Sequence, residues 1–479
     1  MDGSSKTKTF GTGIGTVLRI SIPLVAAAVT TTLNGFTDNF FLARFSESAL
    51  RASIPANAFA GFFTTLITVT LGYCGTMLAT AHGGGHRARA IALASNGLYL
   101  ALLSTPVFLA AMSSSHLVLG LFGHDPKVLG QESTLASIIL AAGPLAALSS
   151  VSAGFFAGQG LTRIVGVATV LGASAKIVLT PLFVFGIGPL PEMGISGAGC
   201  SYVASSLFIC VSYALMATRN PLAVAALRHR RLLTFRPKIA LGILRLGAPL
   251  CGRTIVGQGS FFALVALIGR LDATSVAASS AVCAINCPFY AVVTGVREGV
   301  EILTGHLNGQ RDREGIHRII RSASVLSLFL SAVYIATLFC FGRNLLGAFL
   351  SSDTPLDRTA FFTVGQSVIL MFALRIAFEF LSEILHFILR GIGRTDLVLL
   401  TGVIVAFAIW IPGLSLVTIF HPTAPAYWML TILTSIAGGT CNLAFLLLQT
   451  RHAFGATTND TTKKCLDFTR KQQSPVPNP

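Results

Sequence analysis

Between Met371 and Asp396 the chain reads MFALRIAFEFLSEILHFILRGIGRTD. Within it Arg375, Glu379, Glu383, His386 and Arg390 recur at spacings of four, four, three and four, which on a helix puts them in one polar stripe. A charged group at a bilayer centre costs roughly 2.5–3.5 kcal/mol even on the lenient insertion scale. The stripe must therefore face protein or water, and its chemistry is the binding of protons, ions or charged solutes. A second cluster lies in TGVREGVEILTG, with Arg297, Glu298 and Glu301. Arg297 and Glu301 stand one turn apart and can satisfy each other locally. Alternatively Glu298 or Glu301 joins Glu379 and Glu383 in one proton site, because crowded carboxylates in a low dielectric hold protons more tightly. A third candidate is Asp38, fifteen residues after Pro23 and close to Asn34, Thr37 and Asn39. It reads either as a wet outer helix end or as a carboxylate that binds a proton or sodium. In the second case Thr31, Thr32 and Asn34 supply oxygens for a hard cation, and Pro23 bends the helix and frees a carbonyl.

Such groups need a scaffold, and composition says which. Hydrophobic residues make up 53% and charged residues 11% of 479, with a mean hydropathy of +0.74; soluble domains carry about 25% charge. Runs of about 20 apolar residues predict twelve spanning helices over 15–44, 54–80, 90–112, 133–156, 163–187, 194–218, 243–270, 276–304, 319–345, 357–390, 396–418 and 425–450. The expected organisation is an all-α membrane protein. It comprises a cytoplasmic tail (1–14), a first six-helix lobe (15–218), a basic linker (219–242), a second lobe (243–450) and a disordered tail (451–479). The net charge of +16 does not indicate nucleic acid, because the basic residues lie between apolar runs. With the N-terminus inside, cytoplasmic segments hold 24 of the 34 Lys and Arg and outer loops six, so both termini are expected in the cytoplasm. Arg228, Arg230, Arg231, Arg236 and Lys238 crowd the linker. The start, MDGSSKTKTF, shows no cleaved signal pattern. The nine cysteines sit mostly in apolar runs, and Cys283 and Cys287 lack a His or carboxylate at ligand spacing, so neither disulfides nor a metal are expected. No Walker lysine motif appears.

The halves repeat. Leu18-Arg19-Ile20-Ser21-Ile22-Pro23 matches Leu244-Arg245-Leu246-Gly247-Ala248-Pro249, AHGGGHRAR matches GHLNGQRDR, and Gly158-Gln159-Gly160 matches Gly391-Ile392-Gly393. Six spans per half make corresponding helices run in the same direction, so the repeat is parallel, with a cavity expected between two bundles.

Three stretches carry a family likeness: Pro23 through Asp38-Asn39-Phe40-Phe41, Pro181–Gly186 leading to Gly194–Gly199, and Leu389–Asp396. In them the chain resembles the multidrug and toxin extrusion (MATE) family of the multidrug/oligosaccharidyl-lipid/polysaccharide exporter superfamily. The resemblance implies twelve helices in two pseudo-symmetric six-helix lobes and export of organic compounds driven by sodium or protons. It makes Asp38 a cation-coupling residue and Glu379 the acidic position of helix 10, with Glu383 one turn on. The chain departs from the pattern on helix 5, where Lys176 and Thr180 replace the Asn and Asp of many bacterial members. A lysine there can stand in for the coupling cation. On helix 7 the acidic position of another branch is Gly257, with Gln258 beside it.

The expected function is a secondary active antiporter of drugs, toxins or metabolites in the cytoplasmic membrane. No catalytic centre, cofactor or metal is expected, and the coupling ion is H+ or Na+. Coupling falls to Asp38, Glu298, Glu301, Glu379 and Glu383; Asn34, Lys176, Thr180, Arg253, Gln258, Arg297 and Arg375 are expected to face the substrate, and Pro23, Gly391 and Gly393 to shape the helices. The partners are a small molecule and the bilayer, with the chain a monomer. If Arg253, Arg297 and Arg375 face the cavity unpaired, the alternative is an exporter of an anionic or zwitterionic metabolite, or a flippase of a lipid-linked precursor.

Overall fold

The computed structural model describes residues 11–121, 125–187, 191–228, 234–349 and 357–455. Arg230, Arg231, residues 1–10 and residues 456–479 of the expected tails lie outside them.

Twelve long helical passes occupy the described residues: α1 (Ile14–Phe45), α2 (Glu47–Gly83), α3 (Arg87–Gly120), α4 (Pro126–Ala157), α5 (Thr162–Phe185), α6 (Ile195–Thr218), α7 (Pro237–Ile268), α8 (Ala273–Gln310), α9 (Arg313–Gly347), α10 (Arg358–Gly391), α11 (Thr395–Phe420) and α12 (Ala424–Gly455). Eleven have the length and apolar composition of a membrane span. The other, α10, is 34 residues long and carries the polar stripe. Several passes run past the apolar runs that announce them: α2 begins at Glu47 rather than 54, and α8 ends at Gln310 rather than 304. Hydropathy marks only the membrane-embedded part, whereas backbone hydrogen bonding carries the helix on to its cap. Asp272 and Asp312 supply such caps, their carboxylates accepting from the Ser275 and Gly315 amides.

Within the first half α1 packs on α5, α5 on α6, and α4 on α2, α3 and α6; in the second, α10 packs on α8, α9 and α12, and α7 on α11. Each half has its own apolar core, one around Leu42, Phe108 and Leu135 and one around Phe361, Phe372 and Trp428. The repeat extends to backbone detail. Gly160 and Gly393 adopt positive φ of 77° and 89°. The following amides, Leu161 and Arg394, donate back to the Phe156 and Leu389 carbonyls at 2.9 and 3.0 Å, ending α4 and α10 in the same way. Pro23, by contrast, sits within an uninterrupted α1, and α5 closes on it at Gly166, where a Cβ would come within 2.7 Å of the Pro23 carbonyl oxygen.

The lobes meet where α1 and α2 cross α7 and α8. The contact lies towards the end of the molecule that holds the N-terminus, and it is backbone against backbone. Gly83 lies on the His306 carbonyl, Gly309 on that of Thr80, Gly247 on that of Thr70, and Gly295 on the Val25 backbone, with no room for a Cβ at any of them. Val17, Ile20 and Tyr73 of the first half join the Val300 and Ile388 core of the second at this level. Further along α1 and α7, away from this end, Phe36 and Phe262 are exposed.

A side chain in this seam should part it. Overpacking costs about 1–3 kcal/mol, so Gly295→Val should raise the population separated at this end about tenfold. The readout is the rate at which an impermeant maleimide labels Thr80→Cys, with the exposed Cys287 and Cys340 replaced by serine. An unaltered rate would mean that the close packing at Gly295 does not hold the two lobes together at this end.

Candidate functional site

The N-lobe carboxylate comes first. Asp38 is 9% exposed, which overturns the reading of a wet helix end. The ammonium of Lys176 on α5 bonds its Oδ2, and the Thr180 hydroxyl reaches Oδ1 at 3.4 Å while also lying 2.9 Å from the Ser201 hydroxyl. Lys176 and Thr180 stand four residues apart, so one face of α5 presents both to α1. The void beside them is about 10 Å³, the size of a single water. Lys176 and Thr180 therefore line no substrate cavity, contrary to expectation, and neither does Asn34. Thr31 and Thr32 do line the large cavity, with their hydroxyls donated to the Ala27 and Ala28 carbonyls of their own helix.

That cavity measures about 1060 Å³ and lies between the lobes, walled by α1, α2, α4, α5, α7, α8, α10, α11 and α12. Its first-lobe wall is apolar and hydroxylic, with Leu24, Ala28, Thr32 and Val165; its charge comes from the second lobe. There the α10 stripe meets α8. Arg297 Nη1 lies 2.5 Å from Glu383 Oε2, with the guanidinium 4.8 Å from the Phe387 ring centre and a nitrogen 3.3 Å from the Tyr290 hydroxyl. His386 Nδ1 is 3.8 Å from the other Glu383 oxygen. Arg375 pairs with Glu379 one turn along α10, and Glu379 Oε2 is buried with no partner.

Glu301 does not pair with Arg297 as its spacing suggested. It accepts from Arg390 Nε at 3.2 Å and from the Thr76 hydroxyl of α2 at 2.6 Å, and the Tyr73 hydroxyl donates to the Arg390 carbonyl at 2.9 Å. This places Glu301 in the seam between the lobes and outside the cavity lining. α8 and α10 cross closely enough for inter-helix pairs to win over the local one. Gly391 permits this, since a Cβ there would meet Thr304 and the Glu301 carbonyl.

Two cavity charges remain. Glu298 is exposed to the cavity, among Arg297, Glu301 and Arg390. Arg253 on α7 faces it near Glu383 and His386. Neither forms an ion pair or hydrogen bond with a described residue. The condition set for the alternative, three arginines facing the cavity unpaired, is met by one: Arg297 and Arg375 are paired, and Arg253 is not. Gln258, Cys283 and Cys287 also line the cavity, and no cluster among the described residues has the makings of a metal site. Sequence reasoning missed Tyr73, Thr76 and Tyr290. Only Tyr290 left a signal, standing seven residues, two turns, before Arg297.

A family model, MatE, matches residues 23–182 and 249–416, one stretch in each half. A probable multidrug resistance protein NorM of Pseudomonas putida is 25% identical over 438 residues, covering 90% of either chain. The multidrug resistance protein PmpM of Pseudomonas aeruginosa is 24% identical over 451 residues, 91% of this chain and 92% of that one. Among solved structures, a MOP-superfamily transporter from Pyrococcus furiosus, described as having a binding pocket of reverse polarity, superposes with a TM-score of 0.83 at 17% identity. The match covers 95% of this chain and all of that one. An outward-facing multidrug resistance MATE family transporter gives the same TM-score and identity.

The Asp38–Lys176 pair predicts its own thermodynamics. Removing one partner of a buried ion pair costs about 3–5 kcal/mol, whereas removing both costs far less. Asp38→Asn and Lys176→Met should each lower the thermal unfolding midpoint in detergent, and the double variant should recover most of the loss. Additive losses would show that the two do not depend on each other.

Proposed function

The chain belongs to the MatE family, and from that footing we propose that it is a secondary active exporter of small organic molecules. On this reading it works by alternating access and antiports substrate against protons. The names of its relatives support the substrate class, and the excess of Lys and Arg on one side supports a cytoplasmic membrane location with both termini inside. The end closed by the glycine seam is then the cytoplasmic end, and the cavity between the lobes is open towards the outside.

The observation that carries the reading is Glu298, the one cavity carboxylate that forms no ion pair with a described residue. A proton or the cationic part of a substrate can neutralise it, but not both at once. Such competition is what antiport needs: the proton taken from outside discharges the substrate, and its release inside frees the carboxylate again. Protons fit better than sodium. A hard cation needs several oxygen ligands, and here Glu301, Glu379 and Glu383 are each engaged by an arginine, while Lys176 already occupies Asp38. In this chain the first-lobe site carries a fixed internal cation, and coupling falls to the second lobe.

Proteoliposomes test this with imposed pH, imposed sodium or no gradient. Efflux of a cationic dye, ethidium, should accelerate with the pH gradient alone. Glu298→Gln should lose that acceleration, and its residual dye–dye exchange, which does not require the proton, should become independent of pH although it needs more dye to saturate. A sodium-only response would overturn proton coupling. Loss in Glu379→Gln with full coupling in Glu298→Gln would move the proton site to α10.

A further inference from the structure

We propose that the cavity is built for a dipolar organic substrate, with a cationic and an anionic group on one molecule, Glu298 receiving the first and Arg253 the second. The inference rests on the exporter reading above and names the substrate of the same cavity.

The argument is a matching of charges. Four arginines (Arg253, Arg297, Arg375 and Arg390) and four glutamates (Glu298, Glu301, Glu379 and Glu383) gather around the cavity and its base. Three pairs form, Arg297 with Glu383, Arg375 with Glu379 and Arg390 with Glu301. One charge of each sign is left, and both line the cavity. While the cavity is wet, water satisfies them. A substrate that fills it displaces that water, and a charge then left unpaired is costly. An organic cation would neutralise Glu298 and strand Arg253; an organic anion would do the reverse. A dipolar molecule strands neither.

The packing around Arg253 supports a dedicated position. Its Cδ lies where any side chain at residue 402 would need to be, and its Nη1 would be 2.7 Å from a Cβ at residue 257. Glycine at both places clears the path of this side chain from α7 into the cavity. The surrounding walls are aromatic, with Tyr290, Phe387, Trp410 and Trp428, and so suit a flat ring system between the two charged groups.

A matched pair of dyes tests the proposal. Rhodamine B carries a cationic ring system and a carboxylate; its ethyl ester keeps the cation and lacks the anion. Fluorescence anisotropy on the purified full chain in nanodiscs gives both affinities. Charge-assisted contacts of this kind change affinity about tenfold or more. The wild type should bind rhodamine B at least about tenfold more tightly than the ester. Arg253→Gln should invert the preference, weakening rhodamine B and tightening the ester, and the tightening itself reports a folded variant. Arg253→Lys should restore part of the original order, and Glu298→Gln should weaken both dyes. Equal or tighter binding of the ester by the wild type, or a preference unmoved by Arg253→Gln, would overturn the proposal. The exporter reading fails separately, if the preference holds but neither dye leaves proteoliposomes faster under any gradient.

Discussion

The constraint on which this structure turns is that charge carried into a membrane must be answered within the protein. α10 brings five polar or charged groups, Arg375, Glu379, Glu383, His386 and Arg390, into an apolar helix. From within, α10 pairs Arg375 with Glu379 and sets His386 beside Glu383. The charges of Glu383 and Arg390 require α8, which supplies Arg297 to the first and Glu301 to the second. The order of the partners is the same along both helices, so these contacts hold α8 and α10, alternate passes of one lobe, in one register and one direction. The aromatic rings of Tyr290 and Phe387 beside Arg297 cover the faces of the guanidinium that the carboxylate leaves open.

The same rule has opposite results in the two lobes. In the first, Asp38 is answered by Lys176 in a space that admits about one water, so its charge is sealed from any solute. In the second, the charges line a cavity of about 1060 Å³ and are open to exchange. Two halves of one backbone design, ending α4 and α10 with the same glycine turn, have thus been given different electrostatics. The first lobe offers the cavity a wall of alanine, valine and threonine, and the second offers the chemistry.

How much of this is legible in the sequence depends on which residues break a pattern. The twelve passes are legible because hydropathy is strong, and the stripe on α10 because charge in an apolar helix violates it. The helix ends are less so, since a cap such as Asp312 bonding the Gly315 amide contributes nothing to hydropathy. Pairing is not legible at all where it is tertiary. Arg297 and Glu301 stand at the spacing of local partners, yet each bonds across to α10, and only the crossing of the two helices decides between these outcomes. Lys176 against Asp38 is visible as a departure from the MATE pattern on helix 5, though 138 residues of chain separate the two. Tyr73 and Thr76 are invisible because uncharged hydroxyls fit an apolar helix without disturbing it.

Those two hydroxyls also tie the second lobe, beside the cavity, to the first lobe across the seam. Glu298 and Glu301 are less than one turn apart on α8, the first facing the cavity and the second bonded to α2 of the other lobe. Parting the seam breaks the bond from Thr76 to Glu301 and the one from Tyr73 to the Arg390 carbonyl. Hydrogen bonds to a charged group contribute about 1.5–3 kcal/mol and neutral ones about 0.5–1.5, so together they hold the closed end by a few kcal/mol. A differential affinity of that size is within the reach of one ligand. On the exporter reading, a substrate or proton that changes the charge at Glu298 acts on the same turn of α8 that holds Glu301 against the other lobe. On that reading the helix carrying the free carboxylate is also the helix that must let go, which would link occupancy to opening without any intermediary between them.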